Sequence, residues 1–261
     1  MAVSIAVTSG KGGVGKTNTA VNLAASLRQL GKRVVLFDAD FGMANAHIML
    51  GTNPTTTVDN FLKGEIGMVD TLTETPIGLK FIAGGSGLTE LLNLDNKARY
   101  KMLSGISSLE DEIDYLIVDS PAGASDSALF FVNAVHVPLI VLVAEPTSFL
   151  DAYALVKAAH FENGVTDFAV MVNMADNAKT AETNFNKFRD ITMRFLDIKL
   201  HYVGMVPQSP LIRRSIVQRK PISISQPKSP LAKAYETLAL KMMKTSHSRH
   251  DGVKFFNGAK K

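Results

Sequence analysis

A ten-residue glycine-rich stretch at residues 9–18 constrains the fold and chemistry of this chain more than any other feature. It reads Ser-Gly-Lys-Gly-Gly-Val-Gly-Lys-Thr-Asn, and Gly10, Gly15, Lys16 and Thr17 satisfy the phosphate-loop pattern. In such a loop, small residues let backbone N–H groups surround a polyphosphate, the lysine neutralises the outer phosphates and the threonine ligates Mg²⁺. The stretch therefore predicts binding of a nucleoside triphosphate.

Apolar runs on either side of this loop predict the fold class. The loop follows an apolar run at residues 3–7 and opens a helix whose apolar face comprises Ala20, Leu23, Ala24 and Leu27. Further apolar runs alternate with helical segments and are typical of buried strands, at residues 33–37, 79–83, 115–118, 137–144, 168–172 and 201–207. This alternation predicts a single-domain α/β fold with a doubly wound, mainly parallel sheet over residues 1–245.

Two of the predicted strands end in aspartate. The strand at 33–37 leads into Asp38-Ala-Asp40, and the strand at 115–118 leads into Asp119. Open α/β sheets bind ligands at the carboxyl ends of their strands, so these carboxylates are expected beside the phosphate loop. An apolar strand ending in aspartate is also the Walker-B arrangement, whose carboxylate holds Mg²⁺ or its water shell. The residues thus predict a joint site for a nucleoside triphosphate and Mg²⁺.

Lys11 is a second cation inside the loop, beyond the one that the general pattern requires. Read as Lys-Gly-Gly-Val-Gly-Lys-Thr, the loop resembles the deviant Walker A motif of the MinD/ParA family of P-loop NTPases. The resemblance implies a MinD-like fold, ATP and Mg²⁺ as cofactors, slow Mg-dependent hydrolysis of ATP to ADP and phosphate, and an ATP-dependent homodimer. In that dimer Lys11 would reach the nucleotide of the partner subunit. The nucleotide-binding loop residues implied are Gly10, Lys11, Gly12, Gly13, Val14, Gly15, Lys16, Thr17 and Asn18.

Two further motifs resemble the switches of this family. Residues 38–45 read Asp-Ala-Asp-Phe-Gly-Met-Ala-Asn and match the first switch, and residues 119–123 read Asp-Ser-Pro-Ala-Gly and match the second. The resemblance implies that Asp40 orients the attacking water and that Asp38 supports Mg²⁺ through water. The metal-binding residues implied are Thr17, Asp38 and Asp119. The catalytic residues implied are Lys11, Lys16 and Asp40.

The adenine side of the site is implied by two residues near the ends of later strands. Asn173 follows the strand predicted at 168–172, and Pro207 ends the strand predicted at 201–207. In the resembled family an asparagine at this place reads the adenine edge, and its amide can both donate and accept hydrogen bonds. Ser209 is a departure, because an aspartate usually stands two residues after the proline. Backbone groups around Pro207 remain available for the base.

Residues 145–155, reading Glu-Pro-Thr-Ser-Phe-Leu-Asp-Ala-Tyr-Ala-Leu, resemble the flagellar-number branch of the family, FlhG/FleN, as does Asn18. This branch regulates flagellar number or placement. Its partners include a flagellar transcription activator, basal-body proteins and a signal-recognition-type GTPase. The chain begins almost at the first strand, without the N-terminal extension that stimulates the GTPase, so this partner is less expected. A MinD-type division-site ATPase and a ParA-like DNA-binding partition ATPase remain alternatives.

Basic residues are concentrated in the last fifth of the chain. Residues 213–261 contain 12 lysines and arginines against 2 acidic residues, whereas residues 1–212 contain 16 against 22. Such a block favours an anionic partner, a membrane surface or nucleic acid, although a solvated basic face fits equally well. Residues 246–261 form a basic tail, in which Val253, Phe255 and Phe256 resemble a reduced form of the family's membrane-targeting helix.

Composition restricts the other classes of function. The sequence contains no cysteine, so it offers no disulfide framework and no thiolate metal site. Its start lacks the basic region of a signal peptide, and no apolar run reaches the roughly 20 residues of a membrane-spanning helix. We therefore expect a cytoplasmic protein with weak peripheral contact to the anionic inner face of the cell membrane, and we favour DNA binding less.

Overall fold

The computed structural model describes residues 2–41, 44–85, 96–245 and 254–256, and the strands within them form one sheet. The strands are β1 (Val3–Thr8), β2 (Val34–Asp38), β3 (Leu72–Glu74), β4 (Lys80–Ala83), β5 (Tyr115–Asp119), β6 (Val137–Leu142), β7 (Asp167–Ala175) and β8 (Lys199–Pro207). The helices are α1 (Lys16–Gln29), α2 (Ala46–Leu50), α3 (Val58–Lys63), α4 (Asn96–Ser107), α5 (Asp126–Ala134), α6 (Pro146–Asn163), α7 (Ala178–Met193), α8 (Leu211–Val217), α9 (Ile222–Ser225) and α10 (Pro230–Met242).

The sheet has the order β3-β4-β2-β5-β1-β6-β7-β8, and its neighbouring strands are parallel except for β3 and β4. Every residue of β2, β5 and β6 is buried, which explains why these strands are almost continuously apolar in sequence. Helices α1 and α10 pack on one face, and α4 to α7 pack on the other. The predicted doubly wound, mainly parallel α/β sheet is confirmed.

Strand β1 lies between β5 and β6, where the strand order changes direction. Loops leaving the carboxyl ends of neighbouring strands diverge at such a point and leave a crevice for a ligand. The phosphate loop leaves β1 there. Strand β2 pairs with β5 on one side of it, with Asp38 directly opposite Asp119 in the register. The topology therefore brings the phosphate loop and both acidic strand ends to one edge of the sheet.

Two elements differ from the predicted ones in ways that matter for the site. Strand β3 is an antiparallel edge strand of three residues, Leu72–Glu74, too short to produce a recognisable alternation. Strand β7 extends to Ala175 rather than ending at residue 172, so Asn173 lies inside the strand. The pairing of β7 with β8 is irregular between Val172 and Ala175, and Met174 there has a φ of +54°. Asn173 and Met174 at this irregularity line a cavity next to the phosphate loop.

Part of the predicted basic tail packs inside the domain. Phe255 and Phe256 are both fully buried, and the Phe255 ring stacks on Phe131 of α5 with a centroid separation of 6.4 Å. The Phe255 N–H donates to the Ala134 carbonyl at 2.8 Å, and Lys254 Nζ donates to the Val135 carbonyl at 2.8 Å. Two of the three apolar side chains predicted to contact a membrane therefore belong to the core, and lipid contact through them requires that this segment leave it.

The rest of the tail, residues 246–253 and 257–261 with Val253, lies outside the described residues, as does Gly42 of the first switch motif. Within the described residues, no helix combines the length and the apolar character needed to cross a membrane.

Replacing Phe256 by alanine is expected to lower the free energy of unfolding by about 3 kcal/mol, because a fully buried ring is removed and a cavity remains. Urea unfolding followed by circular dichroism measures this change. The matched control is Phe161→Ala on α6, whose side chain is 66% exposed and whose loss should cost less than about 0.5 kcal/mol. Equal unfolding midpoints for the two variants would show that the segment does not stabilise the domain.

Candidate functional site

The phosphate loop joins the end of β1 to the start of α1 and depends on close backbone packing. Gly15 precedes the first residue of α1 with a φ of +93°, a conformation that L side chains rarely adopt. A Cβ atom at Gly10 would lie 2.0 Å from the Asp151 carbonyl carbon in α6, so only glycine fits there. The two glycines thus shape the loop for different reasons, one conformational and one steric.

Asn173 supports the loop from the neighbouring strand. Its Nδ2 donates to the Val14 carbonyl at 2.7 Å, and a Cβ atom at Gly15 would lie 2.4 Å from the same nitrogen. Asn173 was predicted to read the base. Its amide nitrogen bonds to the phosphate loop here, and the residue also lines the cavity described below. The side chain therefore connects the base side of the site to the phosphate side.

Lys16 and the acidic strand ends form the buried centre of the site. Asp38 accepts the Ala46 N–H at 3.1 Å through Oδ2 and the Asp40 N–H at 3.4 Å through Oδ1. Burial raises the pKa of Asp38 to about 7, although these amides oppose the shift. Lys16 as a residue is only 7% exposed, and burial lowers its pKa, while Asp119 and Asp40 oppose that shift.

Asp119 is a buried carboxylate at the end of β5, beside Thr17 and Lys16. Burial, followed by repulsion from Asp38, raises the pKa of Asp119 to about 8, although the Thr17 hydroxyl and the Lys16 ammonium oppose the shift. Among the described residues neither of its carboxylate oxygens has a hydrogen bond of normal geometry. A buried carboxylate with so little compensation is costly, so a cation or its water ligands at this position would stabilise it. The next residues are fixed by Ser120, whose hydroxyl donates to the Val7 carbonyl at 3.0 Å, and by the Gly123 N–H, which donates to the Ser9 carbonyl at 2.9 Å.

The donor set fits Mg²⁺ bound together with a nucleotide. No group of three or more His, Cys, Asp or Glu side chains that could hold a metal by itself occurs in the described residues. Mg²⁺ usually takes one or two protein oxygens and completes its octahedron with phosphates and water. The buried Asp119 carboxylate can supply such an oxygen, and the Thr17 hydroxyl at the start of α1, which interacts with this carboxylate, is the second predicted ligand. Asp38 and Asp119 are the last residues of two paired strands and lie opposite each other in the register.

Lys11 contacts its own subunit in this structure. Its Nζ lies 2.5 Å from Glu145 Oε2 and donates to Thr147 Oγ1 at 3.2 Å. Both partners stand at the start of α6, in the segment that resembles the flagellar-number branch. The Lys11 and Glu145 side chains are 30% and 59% exposed, so the pair is in contact with solvent and contributes little stability by itself. The second lysine of the phosphate loop is therefore held by the start of α6, with its side chain partly exposed.

A cavity of about 230 Å³ opens beside the loop on the side of β7 and β8. It brings together three residues predicted for the nucleotide, Asn18, Asn173 and Pro207. The other residues that line it are Gly15, Met174, Gln208, Ser209, Ile212, Arg213 and Tyr235. Met174 and Tyr235 were not predicted, because nothing in their local sequence distinguishes them from core residues. Ser209 Oγ accepts the Leu211 N–H at 3.3 Å, so this residue helps to start α8.

Comparison with known proteins agrees with this geometry. Residues 1–243 match the ParA family, described as "NUBPL iron-transfer P-loop NTPase". The chain is 38% identical to the antiactivator FleN of Pseudomonas aeruginosa, over 91% of this chain and 85% of FleN. It is 32% identical to the flagellum site-determining protein YlxH of Helicobacter pylori, over 83% of this chain and 73% of YlxH.

A solved structure supports the same assignment. The cell division ATPase MinD of Pyrococcus furiosus superposes with a TM-score of 0.77 at 26% identity, over 94% of this chain and 99% of MinD. The predicted MinD/ParA family and its flagellar-number branch as the most similar group are confirmed. The matched region includes the phosphate loop, both acidic strand ends and the cavity beside the loop, where Asn173 and Pro207 were predicted to contact the base, so the chain belongs to the ParA family of P-loop NTPases.

Proposed function

We propose that this protein is an ATP-dependent, dimerising switch ATPase that regulates flagellar number or placement. The observation that carries the proposal is the phosphate loop, with Lys16 and Thr17 beside the buried Asp119, in a chain similar to FleN and YlxH. ATP and Mg²⁺ are the cofactors of ParA-family ATPases, and the donor set of this site fits both. The name antiactivator for FleN supports a transcription activator as a partner of this protein too.

The roles proposed for the phosphate side follow from position. The loop amides and the Lys16 ammonium would hold the β- and γ-phosphates, and Thr17 and Asp119 would hold Mg²⁺. Mg²⁺, when bound, neutralises charge on the phosphates as the terminal bond breaks. Because burial lowers the pKa of Lys16, an anionic phosphate bound beside it would oppose that shift and favour the charged form of the lysine.

Asp40 is proposed to orient the attacking water. It is partly exposed, whereas Asp38 beside it is buried and hydrogen-bonded to backbone amides. The two carboxylates therefore have different environments, and we assign them different roles. The buried Asp38 would support Mg²⁺ through water, and the more exposed Asp40 would orient the attacking water. One water-orienting carboxylate without a strong general base fits slow hydrolysis, and a long-lived ATP state suits a switch.

Lys11 is proposed to couple ATP to assembly. Its ammonium lies at the surface, held by Glu145 and Thr147. A partner subunit that brings its triphosphate to this position would offer more negative charge than one carboxylate. Transfer of Lys11 from Glu145 to that triphosphate would favour the homodimer with ATP, and loss of the terminal phosphate would weaken it. We place this cycle in the cytoplasm.

Other members of the family differ in cargo. Among its described activities is iron transfer, but iron–sulfur clusters are held mainly by cysteine thiolates and this chain contains no cysteine. A MinD-type division-site role and a ParA-like DNA-binding role share the same site chemistry. Pelleting with liposomes or DNA, in ATP and in ADP, separates them. ATP-dependent retention on DNA without lipid binding would favour the DNA-binding role and contradict cycling on a membrane.

The experiment that tests the proposed function is deletion of the gene followed by counting flagella per cell by electron microscopy. We expect an altered number or position of flagella, restored by the wild-type gene and not by one encoding Lys16→Ala. Normal flagella combined with misplaced division septa would contradict the proposal and support the division-site role.

A further inference from the structure

We propose that Arg219 is a positioning residue that holds helix α2 and, through it, the loop carrying Asp38 and Asp40. The inference rests on the proposed ATPase function. It identifies a residue outside the sequence motifs that supports the ATPase site. Arg219 follows α8 directly, in the basic stretch that the sequence alone associates with an anionic partner. Its guanidinium instead contacts the chain segment that follows the first switch.

Three acceptors at the end of α2 face the Arg219 side chain. Its Nη2 donates to Asn53 Oδ1 at 3.0 Å and to the Thr52 carbonyl at 3.3 Å, and its Nε donates to the Ile48 carbonyl at 3.4 Å. The planar guanidinium can reach several acceptors at once, which a lysine ammonium at the end of a flexible chain does less well. Arg219 thus binds the last turn of this short helix and the two residues that follow its Gly51 cap.

The backbones of the two segments also touch. Gly51 has a φ of +67°, and a Cβ atom there would lie 2.8 Å from the Arg219 carbonyl oxygen. Arg219 itself has a φ of +52°, and Met174 is the one other non-glycine residue with positive φ among the described residues. Arginine in this conformation is strained and persists only where its surroundings fix it. The side-chain contacts to α2 supply such a constraint.

The opposite end of α2 binds the acidic site. The Ala46 N–H, at the start of the helix, donates to Asp38 Oδ2 at 3.1 Å. Since α2 has five residues at 1.5 Å each, Arg219 acts roughly 8 Å from that hydrogen bond along the helix axis. A shift of α2 would move the amide that orients Asp38 and the backbone that leads to Asp40. Arg219 therefore supports the carboxylates without touching nucleotide.

The other side of Arg219 leads to the base cavity and to α1. Ile212 and Arg213 of α8 line that cavity, and the Arg219 N–H donates to the Ile216 carbonyl at 3.0 Å. Three residues later the Ile222 N–H donates to the buried Asn22 Oδ1 at 2.7 Å, which anchors the segment on α1. Arg219 thus connects α2 to a chain segment that lines the cavity at one end, through α8, and is hydrogen-bonded to α1 at the other.

Arg219→Gly tests the inference, because it removes the guanidinium together with the rest of the side chain while glycine accepts the positive φ without strain. Removing this support should lower kcat for ATP by about tenfold while KM and the Kd for ADP stay within about twofold, since the phosphate loop is unchanged. Amide hydrogen exchange of residues 44–53 should become about tenfold faster. Arg219→Lys should recover part of kcat. Lys220→Ala removes a neighbouring exposed charge and should match the wild type in every measurement.

Two results would overturn the inference. One is exchange in Arg219→Gly as slow as in the wild type, and the other is an unchanged kcat in spite of faster exchange, which is the result of a purely structural role. Wild-type protein that binds ATP without hydrolysing it would contradict the proposed function instead. In that case the role of Arg219 is tested by amide hydrogen exchange and by the Mg²⁺ dependence of ADP binding. If both are the same in Arg219→Gly as in the wild type, the inference about Arg219 is overturned.

Discussion

Asp40→Ala is expected to bind ATP as the wild type does, to hydrolyse it at least about 100-fold more slowly, and to accumulate as the ATP-bound dimer. A positioned acid or base contributes typically 10²–10⁴-fold to rate, and Asp40 is the carboxylate of the first switch that is open to solvent. Asp38 keeps its hydrogen bond from Ala46 in this variant, so the Mg²⁺ side is preserved. Single-turnover hydrolysis and size-exclusion chromatography with light scattering measure both effects.

Asp197→Ala is the matched control for Asp40→Ala. Asp197 is exposed in the turn before β8, at the amino end of the strands and away from the phosphate loop. Its replacement removes the same charge and should leave hydrolysis and assembly as in the wild type. Hydrolysis by Asp40→Ala at the rate of Asp197→Ala would exclude the water-orienting role.

Lys11→Ala is expected to keep nucleotide affinity within about threefold and to lose the ATP-dependent dimer. Lys16 is the residue proposed to hold the phosphates within the subunit, whereas the Lys11 ammonium contacts Glu145 and Thr147 at the surface. Loss of a charge-assisted contact to a triphosphate at an interface should weaken dimerisation by a factor of about 100 or more. Light scattering at increasing ATP, beside equilibrium nucleotide binding, measures the two properties separately.

The double variant Lys11→Ala with Asp40→Ala separates assembly from turnover. Because it cannot hydrolyse ATP quickly, a monomer in ATP would show that Lys11 acts on assembly and not through the lifetime of the nucleotide. Lys199→Ala, which removes an exposed lysine at the start of β8, should dimerise normally. A stable dimer of the double variant would refute the proposed contact between subunits.

The features of the site that depend on residues close together in the sequence were predictable. The phosphate loop, the apolar strands and the aspartates that end them are local patterns, and the rules of parallel sheets place Asp38 beside Asp119. Contacts between distant residues were not predictable. Lys11 and Glu145 are 134 positions apart, and Arg219 and Thr52 are 167 apart. No local pattern marks either pair.

The tail shows a different limit of sequence reasoning. Phe255 and Phe256 among lysines have the same pattern whether they bind a membrane or pack in a core, because apolar burial has no direction and the sequence does not state the partner. The structure identifies this partner as the core of the domain, because Phe255 stacks on Phe131 and the segment donates hydrogen bonds to the Ala134 and Val135 carbonyls at the end of α5. Similarly, Met174 belongs to the base cavity only because β7 is irregular at that point.

The position of these two rings in the chain has a consequence for biosynthesis. They complete a cluster built from β1, β2, β4, β5 and helices α4 and α5, all of which leave the ribosome more than 100 residues earlier. Domains otherwise tend to fold from the amino terminus while synthesis continues. In this protein, strands made early in synthesis pack against the Phe255 and Phe256 side chains, which are made much later. The amino-terminal half of the sheet therefore acquires its final packing only after residue 256 has been made, and a nascent chain stalled before that point would expose the apolar surface that the rings cover.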